Sequence, residues 1–331
     1  MNKKFLLVDS HHLLNRIKHS IKGTPEEIVG MTLHSLFASI GKLWRLHKAD
    51  HLVFIFDGNS WRKSVYPPYK RNRLEAKEKL SPKEIELETL FNDAFQILKT
   101  FLSTKTNCTI LDHSNLEADD LISGFLEAHP EDFHIIVSSD KDFEQLLAPN
   151  VIMYNGILDQ TITPQGIFDW KGNPVKDKKT NLPKPAPDPE WSVFEKSVRG
   201  CTTDNIFSAY VGVREKSTKN KVGLREAFED RNKKGFAWSS LMMARWLDHN
   251  GVEHKVLDDY NRNVGLVNLK MQPDHIKELI AETIFNACYK KQNPNIGFHF
   301  IKLCSKFDLA KIGEQANYFA ELLGFPYPNE N

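Results

Sequence analysis

Carboxylates follow several short apolar runs in this chain of 331 residues. Asp9, Asp57 and Asp140 each come directly, or within three residues, after a run typical of a buried strand. Five more acidic residues lie at a helix start, in the same loop or in a later loop: Glu117, Asp119, Asp120, Asp142 and Asp204. Two like charges about 4 Å apart repel by roughly 4 kcal/mol at an effective dielectric constant of about 20. Such a group is stable when cations hold it together, which predicts a hard divalent metal site.

Each carboxylate also has an ordinary structural explanation. A single aspartate after a strand is usually a turn residue or a helix N-cap, and acidic residues in a first helical turn interact favourably with the helix dipole. The coincidence of all of them favours metal binding, because ligands of an open α/β sheet bind beyond the carboxyl ends of its strands. Oxygen ligands favour Mg²⁺ or Mn²⁺ over Zn²⁺. This many carboxylates suit two ions about 4 Å apart, an arrangement that cleaves phosphodiesters.

The apolar pattern predicts an α/β fold with a mainly parallel sheet flanked by helices. Strands are predicted at 5–8, 52–56, 108–111, 134–137 and 151–154, with helices at 25–46, 81–102 and from 117 onward. The helix at 81–102 has a defined start, because Ser81 is an N-cap residue, Pro82 suits the first turn and Glu84 completes a capping box. Beyond a lysine- and proline-rich loop at 171–190, helices are predicted at 191–198, 221–230, 238–249, 275–289 and 310–323.

The overall composition excludes several classes of protein. A formal net charge of +1 excludes a polycation that coats nucleic acid without selection. No apolar stretch approaches the ~20 residues that span a bilayer. The four cysteines lie far apart and form no C-x-x-C pair, which disfavours zinc and redox sites and predicts a reducing cytoplasm.

Two basic stretches are candidates for phosphate contact. The first follows Asp57 and alternates cations with aromatic rings, a combination that suits phosphate contact and base stacking. Its candidates are Arg62, Tyr69, Lys70, Arg71 and Arg73. The second opens a helix in the second half of the chain, where backbone amides can also hold phosphate. Its candidates are Arg214, Lys216, Lys219 and Lys221. A solvated helix face is the ordinary alternative for either stretch.

Six segments together resemble the 5′ nuclease, or flap endonuclease, superfamily. They are VDSHHLL at 8–14, FIFDG at 54–58, YPPYKRNR at 66–73, LEADDLI at 116–122, VSSDKDFEQLL at 137–147 and RGCTTDN at 199–205. Several such motifs in family order are a specific signal. The chain looks most like bacteriophage 5′-3′ exonucleases of the T-even phage RNase H type.

This resemblance implies a PIN-like α/β catalytic core over residues 1–165, with a helical arch at about 60–95. Residues 166–331 would form a helical DNA-binding part, with a helix-hairpin-helix-like region at about 198–230 followed by C-terminal helices. Lys70 and Arg73 would act on the scissile phosphate, and Tyr69 would stack on a base.

The resemblance also implies cofactors. They are Mg²⁺, replaceable by Mn²⁺ and bound as two ions, with K⁺ as a further candidate at the helix-hairpin-helix-like region. The first ion would be held by Asp9, Asp57, Glu117, Asp119 and Asp120, and the second by Asp140, Asp142 and Asp204. One position departs from the family pattern, because Cys201 replaces the first aspartate of the G-D-x-x-D-N segment. A neutral thiol is a poor ligand for Mg²⁺, so we expect weaker binding of the second ion with activity retained.

The implied function is metal-dependent 5′ nuclease activity on 5′ ends or flaps of DNA and RNA–DNA duplexes, as an exonuclease or flap endonuclease with RNase H activity. The expected role is removal of RNA primers in phage DNA replication, as a monomer beside a single-stranded-DNA-binding protein and a polymerase. The alternative is a structure-specific DNA-binding protein with catalysis weakened by Cys201. A phosphatase built on Asp140 and Asp142 is a weaker alternative, because no second motif supports it.

Overall fold

A computed structural model describes residues 2–219, 221–288 and 292–328. The chain divides into two compact units, each built from separate segments. The first unit contains residues 1–60, 80–186 and 274–331, and the second contains residues 61–79 and 187–273. This division differs from the predicted boundary between residues 165 and 166, because the C-terminal helices return to the first unit. The predicted arch at about 60–95 is divided as well, since only residues 61–79 belong to the second unit.

The elements alternate along the chain much as the apolar pattern predicts. The strands are β1 (Lys4–Asp9), β2 (His51–Phe56), β3 (Thr109–Asp112), β4 (Phe133–Val137), β5 (Val151–Asn155), β6 (Gln160–Thr163), β7 (Gly166–Asp169), β8 (Arg245–Leu247) and β9 (Glu253–Lys255). The helices are α1 (Ser10–Ser20), α2 (Pro25–His47), α3 (Arg62–Val65), α4 (Arg71–Lys77), α5 (Pro82–Lys105), α6 (Ala118–Ala128), α7 (Pro189–Arg199), α8 (Leu224–Asp230), α9 (Phe236–Met242), α10 (Val256–Val267), α11 (Asp274–Cys288), α12 (Ile296–Lys306), α13 (Ala310–Gly313) and α14 (Ala316–Gly324).

A sheet with the strand order β3-β2-β1-β4-β5-β6-β7 forms the centre of the first unit. Strands β1 to β5 are parallel, and β6 and β7 extend the sheet in antiparallel fashion. The parallel strands are continuous apolar runs because helices cover both of their faces, and all six residues of β2 are buried. Val8 pairs with both Phe54 and Val137, so β1, β2 and β4 end at the same edge of the sheet.

Helix starts in the first unit follow local capping chemistry. The Ser81 amide donates to Glu84 Oε2 at 2.8 Å, and the Glu84 amide donates to Ser81 Oγ at 3.4 Å, which confirms the predicted capping box of α5. The start of α2 has the same arrangement between Thr24 and Glu27. Apolar residues of α2, α5, α12 and α14 then pack in one cluster with the sheet, including Leu36, Leu98, Phe300 and Phe319.

The second unit has a core of its own. Aromatic and aliphatic residues of α7, α8 and α9 pack together there, including Trp191, Phe194, Phe228 and Leu241. The prediction of one helix at 238–249 is wrong, because α9 ends at Met242 and the chain then forms the antiparallel pair β8–β9. The turn of that pair is stabilised by Asp248 Oδ1, which accepts from the amides of Asn250 and Val252 at 2.9 and 2.8 Å.

Other element predictions differ in smaller ways. The helix predicted at 310–323 is two helices, α13 and α14, interrupted at Glu314 and Gln315. The last residue of the helix predicted at 275–289 lies outside the described residues. Helices α1, α10 and α12 and strands β6 and β7 were not predicted from the apolar pattern. Within the described ranges, no helix combines the length and the apolar character that a membrane crossing requires.

Candidate metal and phosphate sites

Asp9 is a buried carboxylate at the end of β1, with 3% of its surface exposed. Its Oδ1 accepts from the His12 amide at 3.3 Å, which caps α1, and its Oδ2 accepts from Ser138 Oγ at 2.8 Å. Burial, together with the nearby charges of Asp57 and Asp140, raises the pKa of Asp9 to about 8. The fold therefore favours a protonated Asp9 unless a cation offsets the repulsion.

Asp57 comes directly after β2 and is tied to the segment that begins α6. Its Oδ1 accepts from the Ala118 amide at 2.8 Å, and its own amide donates to His11 Nδ1 at 3.0 Å. The next residue has to be glycine, because a Cβ on Gly58 would lie 2.0 Å from the His113 carbonyl oxygen. This close approach explains the Asp-Gly pair at the end of the strand.

Glu117 and Asp120 are buried at the start of α6. The Glu117 amide donates to Asp120 Oδ2 at 3.4 Å, and Ser60 Oγ donates to Glu117 Oε2. Asp119 lies between them in the first turn and is partly exposed. The acidic triplet therefore caps α6, which is the structural role expected of acidic residues in a first helical turn. It also belongs to the segment that Asp57 contacts through the Ala118 amide.

Asp140 and Asp142 lie in the loop after β4. Asp140 Oδ1 accepts from the Asp142 amide at 3.0 Å and starts a short 3₁₀ helix at Lys141–Leu146. The Asp140 amide donates to Ser138 Oγ at 3.1 Å, so this hydroxyl connects Asp140 with Asp9. His12 Nδ1 lies 3.7 Å from Asp140 Oδ2. Ser138 thus connects the Asp9 carboxylate at the end of β1 with the backbone of Asp140 after β4.

Asp204, in the second unit, is surrounded by cations. Arg73 Nη2 donates to its Oδ1 at 2.9 Å, Lys196 Nζ donates to its Oδ2 at 3.3 Å, and Lys70 Nζ lies 3.8 Å from Oδ1. Burial alone would raise the pKa of Asp204, but the three cations outweigh it and hold that pKa below its ordinary value. Cys201 Sγ lies 3.4 Å from Asp204 Oδ2, where the thiol donates to the carboxylate.

The backbone around Asp204 also fixes the residues that precede α4. The Lys70 amide donates to the Asp204 carbonyl oxygen at 2.8 Å, and Asn72 Nδ2 donates to the Thr202 carbonyl oxygen at 2.9 Å. Lys70 has a left-handed backbone with a φ of 54°, which these contacts hold in place. Lys70, Arg73, Asp204 and Cys201 therefore form one cluster.

The remaining basic candidates lie in different surroundings. Arg62 is buried and donates from Nε to the Leu266 carbonyl oxygen at 2.8 Å, and Tyr69 is buried as well. Contact of either side chain with a base or a phosphate would require a rearrangement. Arg71 is exposed beside Glu75. The candidates before α8 are all exposed and lie in the loop that Gly223 ends: Arg214, Lys216, Lys219 and Lys221.

Comparison with known proteins decides the family. A model described as 5′-3′ exonuclease, N-terminal resolvase-like domain, matches residues 4–172. The chain belongs to this 5′-3′ exonuclease family. The flap endonuclease Xni of Shewanella loihica is 31% identical over 172 residues, which cover 48% of this chain and 58% of that protein. DNA polymerase I of Rhizobium leguminosarum is 30% identical over 186 residues, which cover 51% of this chain and 17% of the polymerase. The matched region is thus less than two thirds of either relative.

Solved structures support the same fold. A structure of the T5 5′-exonuclease with bound zinc ions has a TM-score of 0.57 at 19% identity and covers 86% of this chain and 99% of that one. The T5 D15 protein, co-crystallised with metal ions, has a TM-score of 0.55 at 17% identity and covers 87% of this chain and 100% of that one. The PIN-like α/β fold predicted for the 5′-3′ exonuclease family is confirmed.

Donor chemistry in the first unit fits the metal ions expected for this 5′-3′ exonuclease family. The candidate ligands are carboxylate oxygens on one sheet edge. Burial, followed by the charges of Asp57 and Asp140, raises the pKa of Asp9, and a divalent cation would offset both effects. Among the described residues, no three side chains of His, Cys, Asp or Glu lie close enough together to hold one ion. The individual ligand assignments, including that of Asp204, stay predictions.

Sequence reasoning missed three polar residues of these sites. Ser138 stands in the VSSD segment and connects Asp9 with Asp140, and its position directly after β4 was the available signal. His12 adjoins Asp140, but its spacing resembles no ligand motif. Lys196 adjoins Asp204 from α7, and no local pattern distinguishes it from other helix lysines.

Proposed function

We propose that the chain is a metal-dependent 5′ nuclease that hydrolyses phosphodiesters at 5′ ends or flaps of DNA and RNA–DNA duplexes. The observation that carries the proposal is the convergence of Asp9, Asp57 and Asp140 on one sheet edge, where burial and the neighbouring charges raise the pKa of Asp9 to about 8. A phosphatase acting on small phosphoesters would not need the exposed basic loop before α8. Family membership supports the same choice.

The residues have distinct proposed roles. Asp9, Asp57, Asp140 and Asp142 would hold two divalent ions, preferably Mg²⁺, with the triplet at 117–120 orienting them. When bound, such ions activate water and stabilise the leaving oxygen of a phosphodiester. Ser138 donates to the Asp9 carboxylate and accepts from the Asp140 amide, so it would hold the Asp9 carboxylate against the loop that carries Asp140.

In the second unit, the cluster around Asp204 has a proposed role in phosphate contact. Lys70, Arg73 and Lys196 gather three positive charges around one carboxylate, and charge-assisted hydrogen bonds from such groups suit a phosphate. Asp204 restrains the two side chains of Lys70 and Arg73 before substrate binds. We propose that these two residues neutralise charge on the phosphate, as the family resemblance implies.

The test is cleavage of a labelled 5′ flap and of a 5′-tailed duplex, with Mg²⁺ or with EDTA. We expect cleavage with Mg²⁺ that leaves a 5′-phosphate, and loss of cleavage in Asp140→Ala. The matched control is Asp93→Ala, because Asp93 is an exposed carboxylate of α5 away from the strand ends. Equal activity in EDTA, or full activity in Asp140→Ala, would refute the metal-dependent mechanism.

A structure-specific DNA-binding protein with weakened catalysis is the second candidate. It is favoured by one observation, the thiol of Cys201 beside Asp204 at a position where the family has a carboxylate. Binding of the flap without cleavage in either Mg²⁺ or Mn²⁺ would support this candidate over the nuclease. RNA primer removal in phage replication, with a polymerase and a single-stranded-DNA-binding protein as partners, is a finer proposal that rests on the resemblance. Cleavage of RNA-primed against all-DNA substrates tests it.

A further inference from the structure

A basic hairpin, residues 170–184, follows β7 at the outer edge of the sheet. Its backbone folds back on β7, because the Val175 amide donates to the Ile167 carbonyl oxygen at 2.8 Å. The Lys184 amide then donates to the Val175 carbonyl oxygen at 2.8 Å, and Lys176 pairs with Pro183. The segment predicted as a loop or linker is therefore an ordered surface of the first unit.

The basic hairpin begins where β7 ends, on the same edge of the sheet as the carboxylates. Strand β7 is antiparallel to β6, and β6 is antiparallel to β5, so β7 runs in the direction of the parallel strands. Asp169 pairs with Gln160, which pairs with Asn155 at the end of β5. Trp170 therefore leaves the sheet on the edge where Asp9 and Asp140 lie. Three strand spacings of about 4.8 Å separate β7 from β4, or roughly 14 Å.

Positive charge is concentrated in the basic hairpin. It contains five lysines and one acidic residue, Asp177, while the whole chain has a formal net charge of only +1. Asp177 Oδ1 accepts from the amides of Lys179 and Thr180 at 2.9 and 3.0 Å, so this carboxylate is used in a turn. The charge of Lys184 also acts on Asp177, and that of Lys171 on the neighbouring Asp169. Lys176, Lys178 and Lys179 lie exposed on the same hairpin, so its positive charges outnumber these two carboxylates.

An exposed indole stands beside these charges. Trp170 is 58% exposed, and Lys171 Nζ lies 4.9 Å from its ring centre. Lysines and prolines alone would be explained as protection of an edge strand against pairing with other chains. That explanation does not require a large aromatic ring turned to solvent. A ring next to cations is the combination that binds single-stranded nucleic acid, by base stacking and phosphate contact.

We propose that the basic hairpin binds a single-stranded segment of the nucleic-acid substrate, with Trp170 stacking on a base and the lysines contacting phosphates. This inference rests on the proposed function for its choice of polyanion. Because the ends of β7 and β4 are only roughly 14 Å apart on the same sheet edge, one nucleic-acid strand can reach from the carboxylates to the hairpin.

The test compares binding of two fluorescent probes in EDTA, a blunt duplex and the same duplex with a single-stranded 5′ tail. The variants are Trp170→Ala and the triple variant Lys171→Ala, Lys178→Ala and Lys179→Ala. The matched controls are on α12 and α13. There Lys302 Nζ lies 4.4 Å from the ring centre of the exposed Phe298, an arrangement like that of Lys171 and Trp170. They are Phe298→Ala and the triple variant of exposed lysines Lys302→Ala, Lys306→Ala and Lys311→Ala.

We expect Trp170→Ala to weaken binding of the tailed probe about fivefold or more, as stacking of one base contributes. The lysine triple variant should reduce the slope of log K against log salt by about 2, since each single-strand phosphate contact contributes about 0.7. Binding of the blunt duplex and the behaviour of both controls should not change.

Three results would overturn the proposal. They are unchanged binding of the tailed probe, an equal loss for blunt and tailed probes, and an equal loss in the α12 and α13 controls. If the variants bind the tailed probe as well as wild type does, the hairpin does not bind nucleic acid. An acidic protein surface would then be the ligand that its charge suits. This experiment measures binding in EDTA and is independent of the flap-cleavage assay. Tail-specific binding here, together with no cleavage in that assay, would refute the proposed function and leave the hairpin assignment standing.

Discussion

Replacing Asp9 with asparagine should stabilise the protein in the absence of metal. Asp9 is buried beside Asp57 and Asp140, and burial and these charges raise its pKa from 3.8 to about 8. The substitution Asp9→Asn keeps the shape of the side chain. The new carbonyl oxygen can still accept from the His12 amide, and the new side-chain amide can donate to Ser138 Oγ, so α1 remains capped. Only the unfavourable charge is lost.

The size of the effect follows from the two pKa values of Asp9. Between pH 3.8 and about 8 the unfolded chain releases this proton and the folded chain retains it, so the free energy of unfolding falls as pH rises. From 3.8 to pH 7 the upper bound is roughly 4 kcal/mol, at about 1.4 kcal/mol per pH unit. Relaxation and water penetration reduce this figure, and we expect a gain of ~1–3 kcal/mol for Asp9→Asn at pH 7.

The assay is urea denaturation of wild type and Asp9→Asn in EDTA from pH 4 to pH 8, repeated with Mg²⁺. Without metal, the stability advantage of the variant should be smallest at pH 4 and should grow with pH. With Mg²⁺, wild type should gain stability by binding the ion in its folded state only, and the variant should gain less. Asp93→Asn on the exposed face of α5 is the control, with no change expected in either condition.

A variant that is less stable than wild type at pH 7 in EDTA would refute this reasoning. So would an advantage that does not depend on pH, because a pH-independent gain cannot come from the charge of Asp9. An equal Mg²⁺-induced gain in both proteins would remove Asp9 from the proposed metal ligands while leaving its buried charge intact.

Three further predictions concern other parts of the molecule. Cys201→Asp should lower the Mg²⁺ concentration for half-maximal flap cleavage about fivefold, because an opposite charge about 4 Å away contributes roughly 1 kcal/mol even in water. Burial lowers the pKa of His51 and of His134 to about 4, so the free energy of unfolding should fall by ~1–3 kcal/mol between pH 7 and pH 5, measured by urea denaturation in the Asp9→Asn variant. Gly124→Ala should cost ~1–3 kcal/mol, because its Cβ would lie 2.1 Å from a side-chain carbon of α11. Gly265→Ala, with open space around it, should be neutral or stabilising by up to ~1 kcal/mol.

Each of these predictions has a contradicting outcome. An unchanged Mg²⁺ requirement in Cys201→Asp would argue against a second ion near that loop, and Cys201→Asn is the uncharged control. Constant stability from pH 7 to pH 5 would mean that both histidines are accessible to protons in the folded state. Equal effects of the two glycine substitutions would mean that the contact between α6 and α11 is not tight.

Local patterns predicted the part of the fold that depends on sequence neighbours. The apolar runs before Asp9 and Asp57 identified parallel strands, because residues buried on both faces have no polar alternation. The pattern failed after Met242, where a turn stabilised by Asp248 reverses the chain within what the apolar spacing predicted as one helix. Short antiparallel strands such as β8 have too few residues to produce a periodic signal.

The candidate sites, like the fold, have features that the sequence predicts and features that it does not. Parallel strands bring their carboxyl ends to one edge, so the sequence was sufficient to predict that Asp9, Asp57 and Asp140 share that edge. The hydroxyl of Ser138 between Asp9 and Asp140 could not be predicted, because side-chain hydrogen bonds depend on rotamers and depth of burial. The surroundings of Asp204 were also not predictable, since Lys70 and Arg73 are more than a hundred residues away from it in the chain.

By itself, the sequence determined the α/β class, the edge on which the carboxylates lie and the family to which the chain belongs. Those features depend on residue type and on spacing within single elements. Only the tertiary structure decided which segments form each unit, that Asp9 is buried deeply enough to raise its pKa, and that the basic hairpin leaves the sheet at the carboxylate edge. Burial and electrostatic repulsion are sums over residues far apart in the chain, so they exist only once the chain has folded.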